Sequence, residues 1–456
     1  MPDAATPDPP APIMSRMISR RHFLGAGSAA AGLAAASRLA PASALAEKPD
    51  TPSLPPSIAG LKSRKSEAQP ITRDERRQRQ ERARELMRET SLDALVLMAG
   101  TSLNYFTGIR WWGGERLFAC VLPAKGAAFY VCPAFEEGRA HDQIANSPAG
   151  DQPDVPLDVR LWEEDESPYA LLAQGLKDRG LSTGRIGLEE TIRYFFADGI
   201  TKAAPQASFI SATPVTAGCR MSKSPHEIAL MRLAAQVTLS VYEAVYRALR
   251  PGMTQQDASS LIDAAYRQAG FPGEASVMVD EFTALPHGST TPQVIQEGSI
   301  VMLDDGCTVE GYQSDITRTF VVGKMPAKSA DKMRKVFDTV QRAQAAALAA
   351  ARLGVECGAV DAAARKVVTD AGFGPGYKHF RHRLGHGLGM DGHEWPYLVR
   401  GNRTPIPPET TTSNEPGIYL AGEFGIRLED DMHISENGSE LFTPPSPSLE
   451  DPFAKG

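Results

Sequence analysis

The chain has 456 residues, of which 42% are hydrophobic and 23% charged, and its formal net charge is −7. This length and composition are typical of a globular protein of two domains with ample core. The acidic balance argues against a nucleic-acid-binding protein, which usually presents a basic face. Five scattered cysteines without CxxC spacing exclude a disulfide framework, so we expect core thiols and at most one disulfide.

The first 46 residues have the pattern of an export signal. The stretch SRRHFL (19–24) looks like a twin-arginine motif, and an Ala/Gly-rich apolar run follows it. Ala46 closes a small-x-small cleavage site. We expect Met14 or Met17 as the start, export by the twin-arginine machinery, cleavage near Ala46 and a periplasmic or otherwise exported protein without a further membrane span. The alternative is a disordered Ala-rich tail.

Two segments follow before the middle of the chain. Residues 47–71, rich in Pro and Ser, predict a disordered linker. Strands alternating with helices over 72–215 then predict a small α/β domain. The apolar patterns place a charged helix from Thr72, strands at 92–98, 117–123, 127–133 and 207–212, and a helix at 168–180.

A second domain is predicted for 216–456. Ser224 as a cap and Pro225 in the first turn mark the start of a long helix. Further helices are expected at 254–270, 327–352 and 358–370, and strands around 276–280, 299–306, 315–323, 411–420 and 425–434.

Four carboxylates of this second domain stand where a plain strand would not favour them: Asp304, Asp315, Glu415 and Glu429. Each has a simple alternative, since Asp-Asp-Gly is also a turn signal and Glu429 could face outward on a sheet edge. Together, facing one another, they would repel and protonate unless cations compensate them. Two divalent ions would balance the four charges, and with an imidazole this describes a two-metal hydrolytic site.

The histidines add to this pattern. Four of the nine histidines fall within 379–393, a stretch that glycines at 385, 387, 389 and 392 interrupt. Such a backbone is a poor helix and a poor regular strand. We therefore expect a loop that brings imidazoles to the carboxylates.

Five motifs in order give the chain a family resemblance. They resemble the pita-bread metallopeptidases, that is, Xaa-Pro aminopeptidase, prolidase and their creatinase-like relatives. The motifs are LPHG (285–288), LDDGCTVEGYQSDITRTF (303–320), GHGLGMDGHEWP (385–396), NEPGIY (414–419) and GIRLED (425–430). The resemblance is weaker over 72–213. It implies an α+β chain in which a pita-bread catalytic domain (216–456) follows a smaller creatinase-like α/β domain (72–215).

The resemblance also implies roles for individual residues. Asp315 and Glu429 would bridge two metal ions, and Glu415 would serve as general base as well as ligand. The implied metal ligands are Asp304, Asp315, His386, Glu415 and Glu429. The outer histidines implied to contact substrate and shuttle protons are His287 and His393. His382 matches a further active-site histidine, and Arg427 and Tyr419 match polar active-site residues beside the bridging Glu and after the Glu-Pro-Gly turn.

Other candidates are assigned on weaker grounds. Trp111 and Trp112 are candidates for substrate contact from the N-terminal domain, the alternative being ordinary packing. No motif includes His379, so we place it outside the site. Structural or surface roles are expected for His141, His226 and His433.

The function that the resemblance implies is hydrolysis of Xaa-Pro peptide bonds, as an aminopeptidase or a dipeptidase, by a hydroxide bridging the metals. The oxygen-rich ligands admit Mn, Zn, Co or Fe, with manganese our first expectation. We expect proline-containing peptides as substrates, no nucleic acid, and a homodimer or higher homo-oligomer. The alternatives are another metal-dependent enzyme of this fold, such as a sulfonium-compound lyase, and a catalytically dead binding paralogue.

Overall fold

A computed structural model describes residues 53–111, 113–151 and 156–453 of the chain. The predicted export signal and Trp112 lie outside the described residues, so both remain predictions.

The N-terminal domain is an α/β domain with helices on both faces of one sheet. Its elements are α2 (Arg73–Thr90), β1 (Ala94–Met98), α3 (Thr101–Thr107), β2 (Ala119–Pro123), β3 (Phe129–Pro133), α4 (Glu137–Ala145), β4 (Asp158–Trp162), α5 (Pro168–Asp178), β5 (Arg185–Leu188), α6 (Tyr194–Ala203), β6 (Ser208–Ser211) and α7 (Thr213–Arg220). The six strands form a mixed sheet in the order β4-β3-β2-β1-β5-β6. Alternate residues of β1 point into two separate apolar cores, one on each face.

The catalytic half contains two helix pairs and two larger sheets. Its elements are α8 (Pro225–Ala248), α9 (Gln255–Ala269), β7 (Ser276–Val279), β8 (Ile300–Asp304), β9 (Thr308–Val309), β10 (Tyr312–Gln313), β11 (Arg318–Val321), α10 (Ala330–Ala350), α11 (Cys357–Val368), β12 (Gly385–Gly387), β13 (Glu394–Leu398), β14 (Thr410–Asn414), β15 (Gly417–Leu420), β16 (Phe424–Arg427), β17 (Asp430–Ser435) and β18 (Gly438–Leu441). As expected, Ser224 caps α8 and accepts a hydrogen bond from the backbone N–H of Glu227.

The two sheets divide the core of this half. Helices α8 and α9 pack over the antiparallel sheet β11-β8-β7, and α10 and α11 pack near the five-stranded sheet β13-β12-β14-β17-β18. Each helix pair has its own apolar cluster. The predicted α+β arrangement of two domains is confirmed in this topology.

The predicted linker is wrong from Leu54 onward. A short helix, α1 (Pro56–Ala59), packs against α8 and α9, and Ile58 is fully buried in the catalytic core. Ser57 also donates a hydrogen bond of 2.7 Å to the carbonyl of Ala244. These contacts show that residues 54–71 belong to the fold. Their Pro- and Ser-rich composition obscured the apolar residue that anchors them.

Two boundaries also differ from expectation. The predicted domain border between 215 and 216 falls inside α7, so the chain passes to the catalytic half between α7 and α8. Glu429 lies in the break between β16 and β17 rather than inside a strand, paired with Thr317 in an isolated bridge. It is only 2% exposed, which rules out the outward-facing alternative.

Helix α8 is long and apolar enough to cross a membrane, and it is the one such helix among the described residues, which we did not expect from the sequence. Of its most apolar stretch, 67% is buried inside the protein, where it packs against α1 and α9. Its composition is thus that of a core helix. All five cysteines are buried free thiols.

Candidate metal centre

The four carboxylates of the sequence motifs meet between the two sheets of the catalytic half. Asp304 ends β8, and Asp315 precedes β11, the antiparallel partner of β8. Glu415 follows β14 directly, and Glu429 precedes β17. Because β14 and β17 are also paired antiparallel, these strand ends converge. The expected approach of Asp304 and Asp315 is observed, although a small extra hairpin, β9–β10, lies in the connection.

Donor atoms in this region form three overlapping groups within which all ligand atoms lie within 4.8 Å of one another. Glu429 belongs to two of these groups, and so does Asp315. The groups are Asp304, Asp315 and Glu429; His386, Glu415 and Glu429; and Asp315, His386 and His393. His386 is shared in the same way, and Asp315 and Glu429 are the two carboxylates that belong to more than one group, whereas Asp304 and Glu415 each belong to one.

His386 is held with one ring nitrogen toward the carboxylates. Its Nδ1 lies 3.1 Å from the carbonyl oxygen of Gly387, which can only accept, so Nδ1 carries the proton. Its Nε2 then faces Asp315 at 3.6 Å and Glu415 at 3.4 Å. Two ligands that share one cation at bonds of about 2.1 Å are separated by such distances. The donor set therefore fits a bound cation.

The pKa shifts of the carboxylates also favour a bound cation. Burial, followed by the charge of Asp304, raises the pKa of Asp315 to about 7. Burial and the charge of Asp315 raise the pKa of Glu429 well above its ordinary value. Arg427 pairs with Asp304 and so offsets one of the four negative charges. The remaining excess is what divalent cations would neutralise.

Glu415 differs from these two carboxylates. Burial opposes its charge, but His382 and His386 lower its pKa below the ordinary value. Ser413 also donates a hydrogen bond of 3.3 Å to Glu415 Oε1. Glu415 is thus the carboxylate of the cluster most readily kept ionised.

A hydrogen-bond chain connects Arg427 to His382. Arg427 Nη1 donates to the hydroxyl of Tyr419 at 3.0 Å, and this hydroxyl lies 2.7 Å from His382 Nε2. His382 Nδ1 lies 2.8 Å from the carbonyl of Arg383, so its Nε2 is the acceptor from Tyr419. His382 Nδ1 is also 3.4 Å from Glu415. The three predicted polar residues thus form one chain that ends at the carboxylate.

His393 stacks on His386, with ring centroids 3.7 Å apart and planes at 22°. It is exposed, in contrast to the buried His386. Partial desolvation beside the cluster and the neighbouring His386 lower the pKa of His393 to about 4, so it is neutral near pH 7. Because His393 is exposed, it lies at the solvent-facing, open side of the cluster.

The other predicted residues lie farther away. His287 is exposed, beside Pro286, whose carbonyl accepts from Arg427. Trp111 stacks on Phe118 at 3.9 Å inside the N-terminal domain, as ordinary packing would have it. His379 contacts the backbone of Tyr419 and belongs to none of the donor groups of the described residues.

The three remaining histidines have local partners. His141 faces Glu137, His226 contacts Glu75 at 2.8 Å, and His433 contacts Glu409 at 2.8 Å. These surface and structural positions agree with the sequence interpretation.

Three functional-site residues escaped the sequence interpretation. The hydroxyl of Thr317 lies between Asp304 and Glu429, 2.6 Å from the latter. Asp431 is fully buried and accepts from the backbone N–H of Asp315 at 3.3 Å. Ser413 receives the backbone N–H of His386 at 3.0 Å. Only Asp431 carried a usable signal, as the last of three consecutive acidic residues, Glu429, Asp430 and Asp431, in an apolar stretch.

Close packing of neighbouring strands explains two glycines of the histidine stretch. A Cβ on Gly387 would collide with the backbone of Trp395, and one on Gly385 with the carbonyl of Ser413. The register shifts between His386 and Gly387, as at a β-bulge. Side chains are therefore excluded at these two positions.

Comparison with known proteins places the chain in a family. Residues 229–436 match the metallopeptidase family M24, and residues 79–222 match the creatinase/prolidase N-terminal domain. The chain belongs to metallopeptidase family M24 and has the pita-bread fold with a creatinase-type N-terminal domain. It is a metallopeptidase, of a family that uses divalent metal ions.

Particular relatives are similar over most of their length. The probable dipeptidase PepE of Mycobacterium tuberculosis is 35% identical over 77% of this chain and 90% of its own. The Xaa-Pro dipeptidase of Lactobacillus delbrueckii subsp. lactis is 30% identical, over 80% and 96%. The crystal structure of dipeptidase PepE from Mycobacterium ulcerans superposes with a TM-score of 0.75 at 31% identity, covering 84% of this chain and 99% of that one.

Proposed function

We propose that this peptidase hydrolyses Xaa-Pro peptide bonds using two divalent cations. Glu429 and Asp315 would bridge the cations, Asp304 would complete one position, and His386 with Glu415 the other. The observation that carries the proposal is the sharing of both bridging carboxylates between neighbouring donor groups. When bound, the cations would supply Lewis acidity and a water nucleophile at neutral pH.

The residues of the chain provide the proton transfers. Glu415, with its lowered pKa, is ionised and can take a proton from the attacking water. The same carboxyl, or a neighbouring histidine, can then pass the proton to the leaving prolyl nitrogen. The chain from Arg427 through Tyr419 orients His382 beside Glu415, which keeps the imidazole in one tautomer.

Neutral His393 and exposed His287 lie on the solvent side of the cluster. In this position His393 can donate a hydrogen bond to the developing oxyanion of the substrate carbonyl. A bond to proline is a tertiary amide with a fixed φ and no N–H, so a site shaped for it can exclude ordinary peptides.

The dipeptide is the favoured substrate length. The Lactobacillus relative is named an Xaa-Pro dipeptidase, and the mycobacterial relatives are named dipeptidases. None of these names supports the sulfonium lyase alternative. Manganese remains our first expectation for the metal because hard oxygen donors dominate the site.

The deciding experiment combines metal analysis with two substrates. We expect the purified protein to hold two metal ions per chain and to hydrolyse an Xaa-Pro dipeptide faster than an Xaa-Pro-Xaa tripeptide. An Xaa-Ala dipeptide is the control for proline specificity. Equal hydrolysis of the Xaa-Pro and Xaa-Ala dipeptides would contradict the proposed substrate, and one ion per chain at full activity would contradict the two-cation site.

We also propose that the protein is exported by the twin-arginine route and acts in the periplasm as a homodimer or higher homo-oligomer. Arg20 and Arg21 motivate the first part. Because metal uptake accompanies folding, a protein exported in the folded state would carry cytoplasmic metal. Changing both arginines to lysine should leave unprocessed protein in the cytoplasm, as fractionation and immunoblotting would show. Normal export and cleavage of the Lys-Lys variant would contradict this route.

A further inference from the structure

The loop that carries His393 is held from the N-terminal domain. This loop, residues 388–394, comprises the connection from β12 to β13 together with Glu394, the first residue of β13. Its Asp391 accepts a hydrogen bond of 2.5 Å from the hydroxyl of Thr101, the first residue of α3. The same carboxylate accepts from Arg220, the last residue of α7, at 2.5 Å. Two helices of the N-terminal domain therefore contact the loop directly.

A second carboxylate of the loop completes the contact. Glu394, adjacent to His393, pairs with Arg220 and accepts from Lys223 Nζ at 2.6 Å. Arg220, Lys223 and Glu394 are each less than a tenth exposed. Two positive and two negative charges thus form a balanced cluster in which each carboxylate has two donors. A largely buried ion-pair network of this kind favours one arrangement of the groups it connects, although Arg220 Nε itself has no hydrogen-bond partner among the described residues.

The opposite side of the loop is also supported. The backbone N–H of Gln313, in β10, donates to the carbonyl of Gly389 at 2.8 Å, and its side-chain amide donates to the carbonyl of Met390 at 2.9 Å. β10 leads directly to Asp315 and is itself packed under the N-terminal domain, where Tyr312 accepts from Arg79 of α2 at 2.7 Å. The loop is therefore contacted on two sides, by the N-terminal domain and by β10, while His393 itself stays exposed.

We propose that Thr101 and Arg220 are positioning residues that fix His393 against the reacting groups, so that the N-terminal domain sets the catalytic rate. Thr101 acts through Asp391, and Arg220 acts through Asp391 and Glu394; neither carboxylate belongs to the donor groups found among the described residues. A misplacement of about 1 Å in a catalytic group can cost on the order of 100-fold in rate. The inference concerns the peptidase reaction, and only the assay substrate rests on the proposed function.

The test uses Thr101→Val, which removes the hydroxyl at nearly constant volume. Thr107→Val is the matched control, since Thr107 ends the same helix and its hydroxyl bonds to Leu103 inside the domain at 2.6 Å. We expect Thr101→Val to lower kcat by on the order of 10-fold at unchanged KM and metal content, and to speed hydrogen exchange in residues 388–394. Thr107→Val should leave kcat and the hydrogen exchange of the loop unchanged. Thr101→Ser, which keeps the hydroxyl, should show wild-type values of both.

A second variant guards against misfolding of the first. Asp391→Asn keeps the side-chain volume but removes the charge that Arg220 faces, and it should raise exchange in the loop in the same way. Equal behaviour of Thr101→Val and Thr107→Val overturns the proposal, as does a change in kcat without a change in loop exchange, or the reverse. If the wild type hydrolyses no Xaa-Pro peptide, the substrate proposal fails, while loop exchange and kcat on a peptide that is cleaved still decide this inference.

Discussion

His386 and His393 are stacked on each other, but their surroundings differ. His386 is buried with Nε2 toward Asp315 and Glu415, whereas His393 is exposed at the open side. One of the three donor groups nevertheless includes His393, so the ligand roles need a direct measurement. Removal of a ligand changes the metal content, whereas removal of a substrate-contacting imidazole raises the barrier alone.

We predict that His393→Ala keeps its metal and its Tm but loses about 100-fold or more in kcat/KM on an Xaa-Pro dipeptide. His386→Ala should lose metal from one position and activity with it. Elemental analysis and steady-state kinetics on both variants decide the matter. Loss of metal from His393→Ala, with both ions retained in His386→Ala, would reverse the two roles.

At the scale of elements, helix α11 determines where His382 lies. Arg365 of this helix donates to the backbone carbonyls of Phe380 at 2.9 Å and His382 at 2.5 Å. It also pairs with Asp361 at 2.8 Å, and Asp361 accepts from the backbone N–H of Leu384 at 3.1 Å. One buried ion pair on α11 thus fixes the backbone on both sides of His382.

Arg365→Met should destabilise the protein strongly, because it leaves the buried Asp361 carboxylate without its cation. Breaking such a pair costs about 3–5 kcal/mol, which we expect to lower Tm by about 5 °C or more. Lys366→Met is the matched control, since its pair with Asp370 is exposed and contributes little. Thermal scans of the two variants compare them, and equal Tm values would show that Arg365 does not hold this segment.

For the whole molecule, the carboxylate cluster links stability to metal and pH. Burial and neighbouring charge raise the pKa of Asp315 to about 7, and they raise the pKa of Asp305, the residue next to Asp304 in the chain, to about 6. Between their unfolded pKa near 4 and these values, the metal-free native state holds more protons than the unfolded chain. The stability they contribute is thus present below about pH 4 and is lost as the pH rises to about 7. Glu415, with a lowered pKa, acts in the opposite direction and at lower pH.

We therefore expect the Tm difference between metal-loaded and chelator-treated protein to widen from pH 5 to pH 8. Bound cations neutralise the carboxylates in place of protons, so the metal-loaded protein does not lose this stability as the pH rises. Differential scanning calorimetry of both forms across this range measures it. A difference that is constant with pH would contradict the linkage.

The donor residues and the order of elements could be read from the sequence, because their signals are local. A Ser-Pro pair begins α8, apolar runs end at Asp304, and glycines frame His386. Motifs of this kind specify residue type and spacing, which is what a ligand set requires. The resemblance then assigned the roles, and the family is confirmed.

Only the tertiary structure decided what these residues touch. Thr317, Ser413 and Asp431 join the site through contacts between strands far apart in the chain, and Arg220 reaches the His393 loop across 171 residues. The burial of Ile58 also depends on α8 and α9, so composition alone made 54–71 look like a linker. A residue's neighbours in space are determined by how whole helices and strands pack together, and local sequence patterns do not specify that packing.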